Sequence, residues 1–165
     1  MKKRMLSLLL ELLKDSKRSD RELAKVLGVS QPTVSRMRSR LVKEGIIRGF
    51  TIIPSFAELG YEMLAITLIK AMGIFTSKEY SPCLRISEEW LEKQPNIVMG
   101  GACERMGMNS FIVSLHKNYS DHSEFMLKLR LEMGEFIDDV QTFLVDLRAT
   151  ERLKPFHLKY LAEAK

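Results

Sequence analysis

Apolar residues recur three and four positions apart through the first third of the chain. Leu6, Leu9, Leu10 and Leu13 form one such stripe, and their spacing predicts an amphipathic helix over roughly residues 2–14. The polar run Asp15-Ser16-Lys17-Arg18 breaks it. Ser19 or Asp20 can cap a second helix, and Glu22 falls in its first turn, where a carboxylate suits the helix dipole. That helix turns Leu23, Ala24 and Leu27 inward and stops at Gly28. Ser30 caps a third helix, with Pro32 early in it, where a missing N–H costs nothing. It runs to about Glu44, and Gly45 supplies the left-handed position that ends it. The β-branched and aromatic stretch Ile46–Ile53 predicts a strand or hairpin, closed by Pro54.

After a connector over 55–61 the pattern changes. Met63, Leu64, Ile66, Leu68 and Ile69 make Glu62–Met72 a buried strand, followed by a loop over Gly73–Tyr80. Ser81-Pro82 opens a helix with Cys83, Ile86 and Trp90 on one face, and it must end before Pro95. Asn96–Glu104 and Met108–His116 read as two strands joined by a turn at Arg105-Met106-Gly107. Residues 120–136 fit two patterns. Phe125, Leu127, Leu129, Leu131 and Met133 alternate as in a strand, whereas Phe125, Leu129, Met133 and Phe136 form a helical stripe. Length, the Ser- and Asp-containing start, and the pairs Glu124/Lys128 and Lys128/Glu132 favour the helix. Val140–Arg148 is the last strand. The order β-α-β-β-α-β is a ferredoxin-like plan, so the expected class is α+β. The expected division is a winged helix-turn-helix over 1–54, a linker over 55–61, a ferredoxin-like domain over 62–148 and a tail over 149–165.

Charge divides along the same line. Residues 1–54 hold 13 Lys and Arg against 5 Asp and Glu, a balance of +8; the other 13 basic residues face 16 acidic ones, a balance of −3. A small basic module joined to a slightly acidic one points to a polyanion as partner of the first. Two cysteines in 165 residues exclude a disulfide framework, and with three scattered histidines no metal site is expected. The basic, then apolar, start resembles a signal peptide only until Glu11, Lys14 and Asp15 interrupt it, and no run reaches the roughly 18–20 apolar residues of a membrane span. A soluble cytoplasmic protein without a membrane partner is expected. No hydrolase, zinc-protease or phosphate-loop motif is present, so neither catalysis nor a cofactor is expected.

The first half carries the chemistry. Two helices joined by a Gly turn, the second capped by Ser, form a helix-turn-helix when a small residue sits at the crossing and apolar residues fill the wedge. Ala24 supplies the first; Leu23, Leu27, Val29, Val34, Met37 and Leu41 supply the second. The second helix of such a pair enters the major groove, here with Gln31, Thr33, Ser35, Arg36, Ser39 and Arg40 facing outward. Gln31 and Arg36 are the base-edge candidates, because amide and guanidinium groups read adenine and guanine bidentately. Arg40, Lys43, Arg48, Lys17 and Arg18 suit phosphate, or are plain solvated charges.

The run Leu23-Ala24-Lys25-Val26-Leu27-Gly28-Val29-Ser30, with Thr33-Val34-Ser35-Arg36, Arg40-Leu41 and Glu44-Gly45-Ile46-Ile47, resembles the Lrp/AsnC family of bacterial and archaeal transcription regulators. The resemblance implies a second domain of the RAM type that binds a small effector and assembles the protein into homodimers or larger oligomers on double-stranded DNA. It is specific in the first half and topological in the second. Two departures stand out. A basic-then-aliphatic pair is reversed at Met37-Arg38. The effector turn reads Met106-Gly107-Met108-Asn109-Ser110, with Ser110 where the family has Asp. The acidic group suited to an amino acid's ammonium is therefore missing, which counts against an amino acid and leaves another small ligand open. The alternative is an enzyme on the same scaffold, similar to haem-pathway decarboxylases. The His and Arg cluster such an enzyme needs is not seen between Arg48 and Tyr61 or later. A third reading is an assembly partner that does not itself touch DNA.

Overall fold

Capping and glycine geometry, both local in sequence, organise the first helices of the computed structural model, which describes residues 2–72, 77–149, 154 and 156–164. Helix α1 spans Lys3–Lys14, α2 spans Asp20–Leu27 and α3 spans Gln31–Lys43. Ser19 caps α2 through a full capping box, its Oγ accepting the Glu22 N–H while the Glu22 carboxylate accepts the Ser19 N–H at 2.8 Å. Gly28 ends α2 in the left-handed region at φ 62°. Ser30 caps α3, and the Gly45 and Ile46 N–H groups return to the Val42 and Leu41 carbonyls, the Schellman closure that Gly45 permits at φ 68°. Met5, Leu8, Leu12, Leu23, Ala24, Val34 and Leu41 form the buried cluster, with Leu27, Val29 and Met37 packed on it. The wedge is the expected one.

Two expectations for this region need correction. The buried stripe of α1 is Met5, Leu8 and Leu12, while Leu6, Leu9, Leu10 and Leu13 are only half-buried. A leucine-rich helix has apolar residues on more than one side, so periodicity alone does not select the face. The strand or hairpin expected at Ile46–Ile53 is also not seen: the segment has no regular structure and joins no ladder, because the described residues offer it no partner strand.

The chain divides into two compact units: Met1–Ile53 with Arg152–Lys165, and Pro54–Glu151. The second unit contains β1 (Met63–Ala71), α4 (Ser77–Glu92), β2 (Ile97–Arg105), β3 (Met108–His116), α5 (Tyr119–Met133) and β4 (Ile137–Asp146). A short 3-10 turn, Gly134–Phe136, precedes β4, and α6 (Lys159–Glu163) belongs to the first unit. The four strands pair antiparallel in the order β2-β3-β1-β4, the ferredoxin-like arrangement. Register places Ala65, Thr67, Ile112 and Ser114 on the helix-covered face, where Trp90, Ile112, Phe125, Leu129 and Met133 form the core. Ile66, Phe111, Val113, Phe143 and Val145 fall on the opposite face. Residues 120–136 resolve in favour of the helix: Phe125, Leu129 and Met133 are buried, while Leu131 is 77% exposed. Helix α4 begins at Ser77, four residues before the Ser-Pro pair, and buries Trp90 while leaving Ile86 exposed. Residues 73–76 of the expected loop lie outside the described residues, as does the Cys83 side chain.

Candidate nucleic-acid interface

With Val34 and Leu41 fully buried, the opposite side of α3 must face solvent. Gln31, Ser35, Arg36, Ser39, Arg40 and Lys43 are all exposed there. Thr33 is half-buried and its hydroxyl lies 2.8 Å from Ser30 Oγ, so it belongs to the N-cap more than to the outer face. Arg36 Nε donates to the Pro32 carbonyl at 3.3 Å, which leaves the end of its guanidinium fork directed outward. Arg40 pairs with Glu44 at 2.5 Å along the exposed helix surface. Arg18 pairs with Glu11. Lys17 and Arg48 are exposed and both line a cleft of about 660 Å³ between the end of α1 and the 46–53 segment. The structure thus gathers the α3 residues on one face and Lys17 with Arg48 at one cleft. Arg18 and Arg40 are engaged by carboxylates and must exchange partners to meet phosphate.

Arg38, whose role the sequence left unassigned, is a strut. Its Nη2 and Nε donate to Asp20 Oδ1 at 2.7 and 3.0 Å, and Nη2 also donates to the Arg18 carbonyl at 3.2 Å. It ties α3 to the start of α2 and so sets the crossing of the pair. The signal available in the sequence was its i+18 relation to an acid in a first helical turn, which only folding makes close.

In the second unit a cavity of about 360 Å³ opens between the sheet and helices α4 and α5. Ile69, Trp90, Leu91, Ile112, Leu129 and Met133 wall it, over a floor of Ala71, Gly100, Ala102 and Ser110. Of the five expected effector residues, Asn109 and Ser110 reach this cavity. Met106, 86% exposed at φ 55°, and Gly107 form the turn tip, while Met108 is buried. Asn109 Oδ1 accepts the Ala71 N–H at 3.0 Å, and Glu88 contributes the one charged side chain among the lining residues described.

Beyond the cavity, Ser114 Oγ and His116 Nε2 share a hydrogen bond of 2.8 Å, and His116 Nδ1 lies 3.4 Å from Asp121 Oδ2. The order of groups resembles a hydrolytic triad, yet Ser114 and His116 are completely buried, so no substrate carbonyl can reach the hydroxyl. His116 and His122 stack edge-on at 5.0 Å. Burial, then the neighbouring His122, holds His116 below the ordinary imidazole value of 6.5, against the opposing pull of Asp121; burial does the same to His122. Between those depressed values and 6.5 the unfolded chain binds more protons than the native one. Stability is therefore complete above pH 6.5 and is lost as the pH falls below it. Urea titrations of the second unit's unfolding at pH 7.5 and 5.0 should show a lower midpoint at the acid value. His122→Phe should shrink that difference, and an undiminished difference would remove this pair as its source.

Residues 1–48 match the winged helix-turn-helix DNA-binding family. An uncharacterised HTH-type transcriptional regulator of Pyrococcus furiosus is 44% identical over 71 residues, 43% of this chain and 46% of that protein. The chain thus spans about half the length of the curated relatives it matches. Solved structures match along nearly the whole fold. An AsnC family transcriptional regulator from Agrobacterium tumefaciens superposes with a TM-score of 0.77 at 17% identity, covering 98% of this chain and 99% of that one. A Neisseria meningitidis transcriptional regulator in complex with L-Met gives 0.76 at 16% identity, covering 98% and 99%. The class is a winged helix-turn-helix DNA-binding domain followed by a four-stranded ferredoxin-like domain. The matched relatives are HTH-type transcriptional regulators, and over its length the chain shares the fold of the AsnC family structures. No described helix is long and apolar enough to cross a membrane.

Proposed function

We propose that this chain is a sequence-specific DNA-binding transcriptional regulator, acting as a homodimer or higher oligomer and tuned by a small ligand in its second unit. The observation that carries the reading is the exposed α3 face held off a buried apolar wedge. On it Gln31 and Arg36 read base edges. Arg40, Lys43, Arg48, Lys17 and Arg18 meet phosphates. The relatives' description as regulators supports a role without catalysis. The ligand reading rests on the 360 Å³ cavity, and the L-Met complex of the Neisseria protein supports a small molecule in this domain type. Ser110 stands where an acid would otherwise meet an ammonium, so we assign the cavity a mainly apolar ligand.

The test selects a preferred site from random duplex DNA and then compares two variants on it. Arg36→Ala should cost about 1–3 kcal/mol on the selected site and relax preference at one base position. Arg40→Ala should weaken binding to all sequences alike and reduce the slope of log affinity against log salt by about one. An Arg36→Ala protein with unchanged site preference, or an Arg40→Ala loss confined to one sequence, overturns the assigned roles. Absence of any selected site overturns the reading itself.

A further inference from the structure

Helix α1 carries more leucine than one core can use. Its buried stripe, Met5, Leu8 and Leu12, faces the helix-turn-helix wedge. Leu10 is only half-buried and lines a second cavity, with Leu27 and with Ala162 of α6. Leu9 and Leu13 line the larger cleft together with His157 and Leu158. His157, Leu158 and Ala162 thus lie along the apolar ground of α1 that the wedge leaves uncovered, and Ala162 is 8% exposed.

The docked element is weak by construction. Helix α6 has five residues, far below the roughly 12–15 at which an isolated helix becomes even marginal in water. Ala162 is its one buried residue. Two local contacts support it: His157 Nδ1 accepts the Lys159 N–H at 2.9 Å, and Lys154 Nζ sits 3.9 Å above the Tyr160 ring. Such a helix exists only while α1 supplies a surface, so docking and helix formation are one event.

The chain connections give that event a consequence. The first unit is built from Met1–Ile53 and Arg152–Lys165, so the second unit joins it through two segments. These leave the sheet side by side, because Met63 pairs with Asp146. They are clasped there: the Leu147 N–H donates to the Glu62 carbonyl at 2.8 Å, and Arg148 pairs with the Glu62 carboxylate at 3.1 Å.

We propose that residues 156–164 are a reversible clasp of the DNA-binding unit: α6 docked on α1 stiffens the unit for DNA, and its release loosens it. The DNA half of this statement rests on the proposed function, whereas the α1 half stands apart from it. The experiment uses the full chain with Ala162→Glu, which puts bulk and charge into the α1 contact beside Glu11, and with Leu161→Ala, at a 59% exposed position, as control. Hydrogen exchange should be about tenfold faster at α1 amides in Ala162→Glu and unchanged at α5 amides. Binding to mixed-sequence duplex DNA at low salt should weaken several-fold, and Leu161→Ala should match the parent in both. A chain ended after Ala149 makes the same comparison if Ala162→Glu aggregates. Unchanged α1 exchange overturns the clasp. Faster α1 exchange with unchanged DNA affinity overturns its role in binding, and a parent chain that binds no DNA overturns the function instead.

Discussion

Leu41→Ala should unfold the DNA-binding unit and leave the second unit standing. Leu41 is completely buried among Leu8, Leu23 and Val34, and its carbonyl receives the N–H groups of both Ile46 and Ile47. Truncating a buried leucine costs about 2–5 kcal/mol, from lost transfer energy and from the cavity left behind. A core of this size supplies little more than about 3–5 kcal/mol in total. The loss is therefore comparable with the whole stability of the unit. Calorimetry should show the first transition gone or moved far down and the second in place, with DNA binding abolished at the temperature where the first unit melts. A single unshifted profile, or full DNA binding, would show that the wedge does not hold the unit together.

On the proposed homodimer, Phe143→Glu should separate the protomers and lower affinity for paired half-sites by about 10²–10⁴-fold, the usual gain from linking two heads. The open sheet face presents Ile66, Phe111, Val113, Phe143 and Val145, and Phe143 is 60% exposed. An apolar sheet face of this kind is suited to a second copy of itself. Sedimentation at micromolar concentration should find a smaller species for the variant than for the parent, with affinity for a single half-site unchanged. A variant that keeps the parent's sedimentation, or its paired-site affinity, places the oligomer contact elsewhere. Met63 pairs in the register of Ala65 and Thr67 and so falls on the helix-covered side, not on this face.

What the sequence determined by itself was whatever depends on neighbours a few residues away. The Ser19–Glu22 box, the Ser30 cap and the left-handed Gly28 and Gly45 are readable because each is one turn's chemistry, and the wedge residues because the 3.6-residue period of each helix picks out its own apolar side. The element order β-α-β-β-α-β was readable from alternation and helical periodicity, and it implies the ferredoxin-like plan. The outer residues of α3 could be named for the same reason, since burying Val34 and Leu41 dictates what faces away. Contacts between distant residues were not legible. Arg38 became a strut because folding brings Asp20 within 2.7 Å. Residues 46–53 have strand composition but no ladder, since a strand needs a partner and composition cannot provide one. Asn109 and Ser110 reach a cavity while Met106 does not, because a turn with left-handed Met106 and Gly107 points its tip away from the sheet. The surplus leucines of α1 made sense only once the tail lay on them, a contact between the two ends of the chain that no local pattern records.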